Sequence, residues 1–217
     1  MARRGDSTRE QILDAAEKLY GSLGVANVSL RQIRIASEQR NDAAVQYHFG
    51  DRDGIIRALS DRHLPRIADI ATALTSGDGG RQSKRRLVEA LVRPWAVYVT
   101  RGPSERAYVK IVAELVSDPT LGFDTIRENS LPEMQAVGIA LYEALARTMP
   151  AEVAGERVWT ISRFAIQGAA DRARLTDSPH PARLLLSDDL FIDNLVAMAG
   201  GAIGAAPPES TVAPSPD

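Results

Sequence analysis

Residues 29 to 50, SLRQIRIASEQRNDAAVQYHFG, crowd together side chains suited to nucleic acid. An Arg can pair bidentately with guanine, and an Asn or Gln with adenine, so sequence reading is expected of Arg40, Asn41, Ala44 and Gln46. Tyr47 and His48 follow at the far end of the same segment, where a helix entering a groove by its N-terminus turns toward the DNA backbone. Phosphate contacts are expected there. Arg31, Arg34, Arg40 and Arg52 cluster around the segment and would neutralise phosphate, although any one of them could simply solvate a helix face. Tyr47 likewise has a second reading, as a packing residue of a small helical core.

Two short helices must position these groups. Ser29 and Gln32 form an S-x-x-Q capping box, Val28 can staple onto Ile33, and Leu30, Ile33 and Ala36 make a narrow apolar stripe. The polar turn Glu38 to Asn41 follows. Asn41 or Asp42 can cap a second helix, Ala43 to Phe49, which Gly50 closes, with Val45 and Phe49 facing inward. This is the layout of a helix-turn-helix, whose second helix enters the major groove. An opening helix is expected from a second capping box, Ser7 and Glu10, through Ile12, Leu13, Ala16, Leu19, Tyr20 and Leu23 to Gly24, with its acids on the solvated side. The basic residues before it read as a flexible arm.

With these residues in view, positions 8 to 64 resemble the DNA-binding domain of the TetR family of bacterial transcriptional regulators. The resemblance rests on Ile12, Leu13, Ala16, Tyr20 and Gly24, then Ser29, Ile33 and Ala36, then Tyr47, His48, Phe49 and Arg52. Two departures stand out. Glu38 occupies the turn position where the family usually carries Gly, and the stretch from Ile33 to Tyr47 is two residues longer than the common pattern. The chain is similar to a subgroup with a Gln-Arg-Asn segment before the Tyr-His-Phe-Gly helix end.

The remaining sequence reads as helices punctuated by Gly and Pro. Asp51 caps a long helix bearing Ile55, Leu59, Ile67 and Ile70, with Pro65 expected to bend it; after the break at Ser76 to Gly80, a helix from about Arg81 to Thr100 contains Pro94. A shorter helix around Tyr108 to Leu115 stops at Asp118-Pro119. Further helices are expected over 123 to 149, 151 to 175 and 187 to 200, followed by a disordered tail, 204 to 217. The expected architecture is all-α: a helix-turn-helix domain over 1–63 and a helical ligand-binding and dimerisation domain over 64–203.

The two last helices are apolar on more than one side. Small residues such as Ala165 and Gly168 alternate with Trp159 and Phe164, and Phe191, Leu195 and Met198 follow on the final helix. Such a helix could be the central core helix of a monomer or serve a partner as well. The TetR resemblance implies the second arrangement, a homodimer with two recognition helices about 34 to 36 Å apart on a palindromic operator. It also implies a ligand pocket between reader and dimer surface, for which the matching zone offers Trp95, Tyr98, Tyr108, Phe123, Tyr142 and Trp159, with Arg163 and Gln167 as polar anchors. An apolar or aromatic small molecule suits that lining.

Composition bounds the alternatives. The 217 residues are 44% apolar with a net charge of −2, enough for a small reader and a larger core, but not the signature of an indiscriminate nucleic-acid binder. Cysteine is absent, which removes thiol nucleophiles and thiolate metal sites and, without a signal peptide, points to the cytoplasm. His48, His63 and His180 are dispersed, Asp188 and Asp189 sit at a helix start, and Gly77 to Gly80 lacks the Lys-Ser of a phosphate loop. No enzyme, metal or cofactor is expected. With these classes set aside, the TetR resemblance implies a ligand-responsive regulator, expected to be a repressor, the competing reading being a helical protein-interaction adaptor that binds no DNA.

Overall fold

The computed structural model describes residues 2–41, 43–76, 83–121 and 132–206. Their backbone forms α1 (Ala2–Leu23), α2 (Leu30–Ala36), α3 (Ala44–Phe49), α4 (Arg52–Thr75), α5 (Lys84–Tyr98), α6 (Pro103–Ser117), a 3-10 turn (Pro119–Leu121), α7 (Pro132–Ala146), α8 (Ala151–Asp177) and α9 (Asp188–Gly204). Among these residues there is no strand, and no helix is long and apolar enough to cross a membrane.

The local signals of the N-terminal helices are realised at most ends. Ser29 Oγ accepts from Gln32 N while Gln32 Oε1 accepts from Ser29 N at 2.8 Å, closing the capping box of α2. Asp51 Oδ1 accepts from Gly54 N at 2.8 Å and starts α4. Gly54 is required at this corner, because a Cβ there would lie 1.8 Å from the Phe49 carbonyl oxygen. The short crossing from α3 into α4 therefore depends on a missing methyl.

Several boundaries differ from expectation, three of them with consequences for the site or the tail. Helix α1 begins at Ala2, so Ser7 lies inside it and caps nothing, and the expected flexible arm is helical from Ala2 onward. No proline interrupts that stretch, so propagation of an established helix adds residues at little cost. Helix α3 begins after Ala43, since the Asn41 carboxamide oxygen accepts from Ala43 N and forms a turn before the helix; Asp42 lies outside the described residues. The last helix runs on to Gly204, past the expected end at Gly200, which places the first residue of the expected tail inside it. Residues 207 to 217 and Phe123 lie outside the described residues.

Helix α4 crosses the expected domain boundary at 63/64 unbroken, with Pro65 inside it. Reader and body share one continuous apolar core, from Ile12, Tyr20, Ile33 and Phe49 through Ile55 and Leu59 to Val92, Ile111, Ala165 and Leu195. Helix α5 lies at the centre of the body, packed by α4, α7, α8 and α9, while α6 bridges α1 to α8. The α1–α6 crossing is close: a Cβ on Gly21 would stand 2.6 Å from that of Ala107.

Candidate nucleic-acid interface

Helix α3 is two-sided. Val45 and Phe49 are buried against the reader core, whereas Gln46 is exposed and Tyr47 is 84% exposed. That exposure rules out the core-packing reading of Tyr47. Its ring meets His48 edge-on at 5.1 Å, and a groove of about 380 Å³ beside it is lined by Leu30, Arg31, Arg34, Val45 and Gln46. Arg31 is exposed on this groove, Arg40 and Asn41 are exposed in the turn before α3, and His48 is half-buried.

Ala44 does not belong to that surface. It is only 7% exposed and packs into the N-terminal core, because it lies next to the inward-facing Val45 at the edge of the buried face. Arg52, half-buried, sits beside the Tyr20 hydroxyl. Burial pushes that hydroxyl up to about 12 against the lowering influence of the Arg52 guanidinium.

The turn between α2 and α3 is built from its own side chains. Arg34 Nη1 donates to the Gln39 carbonyl at 2.9 Å, and Gln39 Nε2 donates to the Ser37 carbonyl and to Gln11 Oε1 of α1. Arg34 therefore braces the turn. Glu38 takes φ 56°, the left-handed region that strains any side chain with a Cβ and that a glycine at this position would accept freely.

Beneath the reader lies a buried polar joint that the sequence reading missed. Of the α1 acids expected on the solvated side, Glu10 and Asp14 are exposed there, but Glu17 is buried, and all three converge on Arg62 of α4 at 2.6, 2.7 and 2.8 Å. His63, fully buried, engages Glu17 Oε2 through Nε2 at 3.3 Å and the Tyr98 hydroxyl through Nδ1 at 2.7 Å, and stacks on Tyr108 with centroids 4.3 Å apart. Ser104 donates to Glu17 Oε1 and Tyr108 donates to Ser60 Oγ. Burial alone would raise the Glu17 carboxyl, but the hydrogen bonds from His63, Ser104 and Arg62 hold it below the ordinary carboxylate range. A second tie runs from Val25 N and Ala26 N to the Glu114 carboxylate of α6 at 2.8 and 3.0 Å. The available signal was the i, i+4, i+7 spacing of the three acids on one face of α1.

The residues expected to line a ligand pocket are dispersed. Tyr98 and Tyr108 belong to the joint, and Trp95 is buried within α5. Tyr142 and Trp159 reach the surface of α7 and α8, the latter 44% exposed with the Arg163 guanidinium 5.9 Å from its ring centre. Arg163 donates to the Val116 carbonyl, and Gln167 to the Ala113 carbonyl and Ser117 Oγ, so both cover the C-terminal end of α6.

The expected dimer residues divide into two sets. Leu195 is buried inside the protomer against Gly168, where a Cβ would come within 2.7 Å of Leu195 Cδ1. Phe191 is half-buried under the Arg172 guanidinium at 5.3 Å. Trp159 and Met198 are exposed, the latter by 53%, and Phe164 is half-buried between the two groups.

No family model matches the chain, and no curated protein does. Solved structures do resemble it. Salmonella enterica GusR aligns at 17% identity with a TM-score of 0.52, over 92% of this chain and 96% of its own. PfmR from Thermus thermophilus, a TetR-family transcriptional regulator, aligns at 18% identity and TM-score 0.51, over 88% and 96%. Mycobacterium smegmatis AmtR gives 21% identity and TM-score 0.51, over 88% and 86%. The chain has the all-helical fold of TetR-family transcriptional regulators, a helix-turn-helix module at the N-terminus of a larger helical body.

Proposed function

We propose that the protein is a TetR-type, sequence-specific transcriptional repressor, a homodimer that binds a palindromic operator and is released by a small molecule. The observation that carries this reading is the bare outer edge of α3. Gln46 and Tyr47 stand exposed beside the Arg31 groove while Val45 and Phe49 of the same helix are buried. Gln46, Arg40 and Asn41 would contact base edges, each true contact being worth roughly 1 to 3 kcal/mol of discrimination. Tyr47, His48, Arg31 and Arg52 would hold phosphate. Residues 1–63 would act as the reader and 64–203 as the sensing and dimerising body.

The exposed faces of α8 and α9, with Trp159 and Met198 at their centre and Phe164 and Phe191 beside them, would meet a second copy. Helix α4 would couple the two functions. It carries Arg62 and His63, which hold α1 on one side and α5 on the other, so a ligand that shifts the body shifts the reader by the same joint. A coupling of about 1 to 3 kcal/mol is enough to change operator affinity roughly 5- to 150-fold. No catalytic role is proposed.

Selection of binding sites from random duplex DNA, followed by fluorescence anisotropy, tests the proposal. A two-fold symmetric consensus is expected, and Gln46→Ala should blur individual base positions in it. A purified dimer that bound no duplex even at low salt would overturn the reading in favour of a helical protein-interaction adaptor.

A further inference from the structure

A cavity of about 780 Å³ lies between α5, the end of α7 and α9, and neither Trp95, Tyr98, Tyr108, Tyr142 nor Trp159 lines it. Its volume suits a small organic molecule. Val88, Leu145, Met149, Val196 and Ile203 supply the apolar part of its walls, and α9 presents Ala197, Gly200 and Gly204 toward it. A Cβ on Gly200 or Gly204 would meet nothing within 4 Å among the described residues. Close packing within the protomer thus gives no reason for glycine there, although glycine weakens a helix relative to alanine. What the missing side chains leave is room.

The charges of the cavity are unequally distributed. At one end Arg93 is neutralised by Glu89 at 2.7 Å and Asp193 at 2.9 Å. At the other, about 13 Å along α5 at ~1.5 Å per residue, stand Lys84 and Arg85 at the positive N-terminal end of that helix. Lys84 Nζ donates to the neutral hydroxyl of Thr148 at 2.9 Å. The carbonyls closing α9 nearby are taken by Arg157, which donates to Ile203, Ala205 and Ala206, so they do not offset the two cations.

We infer that this cavity binds an organic anion with an apolar body, of the medium-chain carboxylate class, its charged end at Lys84 and Arg85 and its apolar part along Gly200. That such an anion acts as the releasing effector rests on the proposed regulator function; the binding site itself does not.

The test uses the full chain and the fluorescent anion 8-anilinonaphthalene-1-sulfonate, displaced by decanoate or by 1-decanol. Decanoate should displace it, and 1-decanol should be weaker by at least about tenfold, the loss of one charge-assisted hydrogen bond. The double variant Lys84→Gln/Arg85→Gln should weaken decanoate by a similar factor, and Gly200→Leu, which fills the cavity, should abolish displaceable binding while thermal melting and sedimentation stay as in the parent. Equal displacement by the acid and the alcohol overturns the anion preference. Undiminished decanoate binding by Gly200→Leu, or a change in its oligomeric state, overturns the site, the latter because the face would then be a subunit contact. Operator anisotropy separates the two proposals: decanoate binding without any operator binding sinks the regulator and keeps the site, and operator binding without decanoate binding does the reverse.

Discussion

On α3, Tyr47 projects into solvent with only its neighbour His48 against it, whereas on α4, a few turns later in the chain, His63 has both ring nitrogens engaged and its face covered by Tyr108. Both regions are built from polar and aromatic side chains. They differ in saturation. At the outer edge of α3 the donors and acceptors face water and can exchange it for a partner at little loss, while Glu17 and His63 at the joint have already exchanged it for partners within the protein. A polar group left bare on a rigid helix serves recognition, and one enclosed by its complements serves registration of one element against another.

The largest way to break this contrast is to empty the joint. Glu17→Ala leaves Arg62 and His63 without their shared carboxylate and should cost about 3 kcal/mol, the low end for a broken, mostly buried ion pair. Urea denaturation measures it, and a loss no greater than that of a surface substitution would show the joint to be unsaturated in solution. The same carboxylate predicts an acid limit. Its folded-state pKa lies below the ordinary value of 4.5, so its contribution is complete above about that pH and is lost as pH falls through the folded value. Urea midpoints followed from about pH 6 down to pH 3 should fall more steeply for the parent than for Glu17→Gln.

A smaller effect, of opposite sign, is expected at the turn of the reader. Glu38→Gly removes the left-handed strain and should stabilise the protein by about 1 kcal/mol, read as a rise in the melting temperature. A decrease would mean that the Glu38 side chain contributes something its geometry does not reveal. The smallest effect belongs to the exposed edge. Tyr47→Ala should change stability by less than about 0.5 kcal/mol, as surface substitutions do, yet weaken specific and non-specific DNA alike. If it altered which sequence is preferred, Tyr47 would be a base reader and not a phosphate contact.

The reader was legible in the sequence because its signals are local. Capping boxes, an apolar stripe and glycine at helix ends act within one turn of the chain, and Ser29, Gln32, Asp51 and Gly50 stand where those signals put them. Ala44 went astray by a single residue. It adjoins the inward-facing Val45, about 100° round the helix, and its methyl at the edge of that face packs into the core. The joint was not legible, since Glu17, Arg62 and Tyr98 are brought together only by the crossing of three helices. Acids at helical spacing read first as a solvated face, which is what they would be without Arg62. The dimer residues show the same ambiguity from the other side: Leu195 and Met198 are both apolar positions of α9, and only the approach of α8 at Gly168 decides which one the protomer buries.

Gly21, where α1 passes Ala107 of α6, has a consequence for how such a chain can be recombined. A helix-turn-helix module taken from this chain carries a docking notch as well as α3, and the body carries the matching small residue. His63 adds a second condition, because it sits at the seam and bonds to both sides of it. A chimera that exchanged the first 63 residues for those of a distant homologue would therefore inherit a working recognition helix on a mismatched hinge. If the protein is the proposed regulator, its failure would be one of transmission, with DNA still bound but no longer answerable to the body.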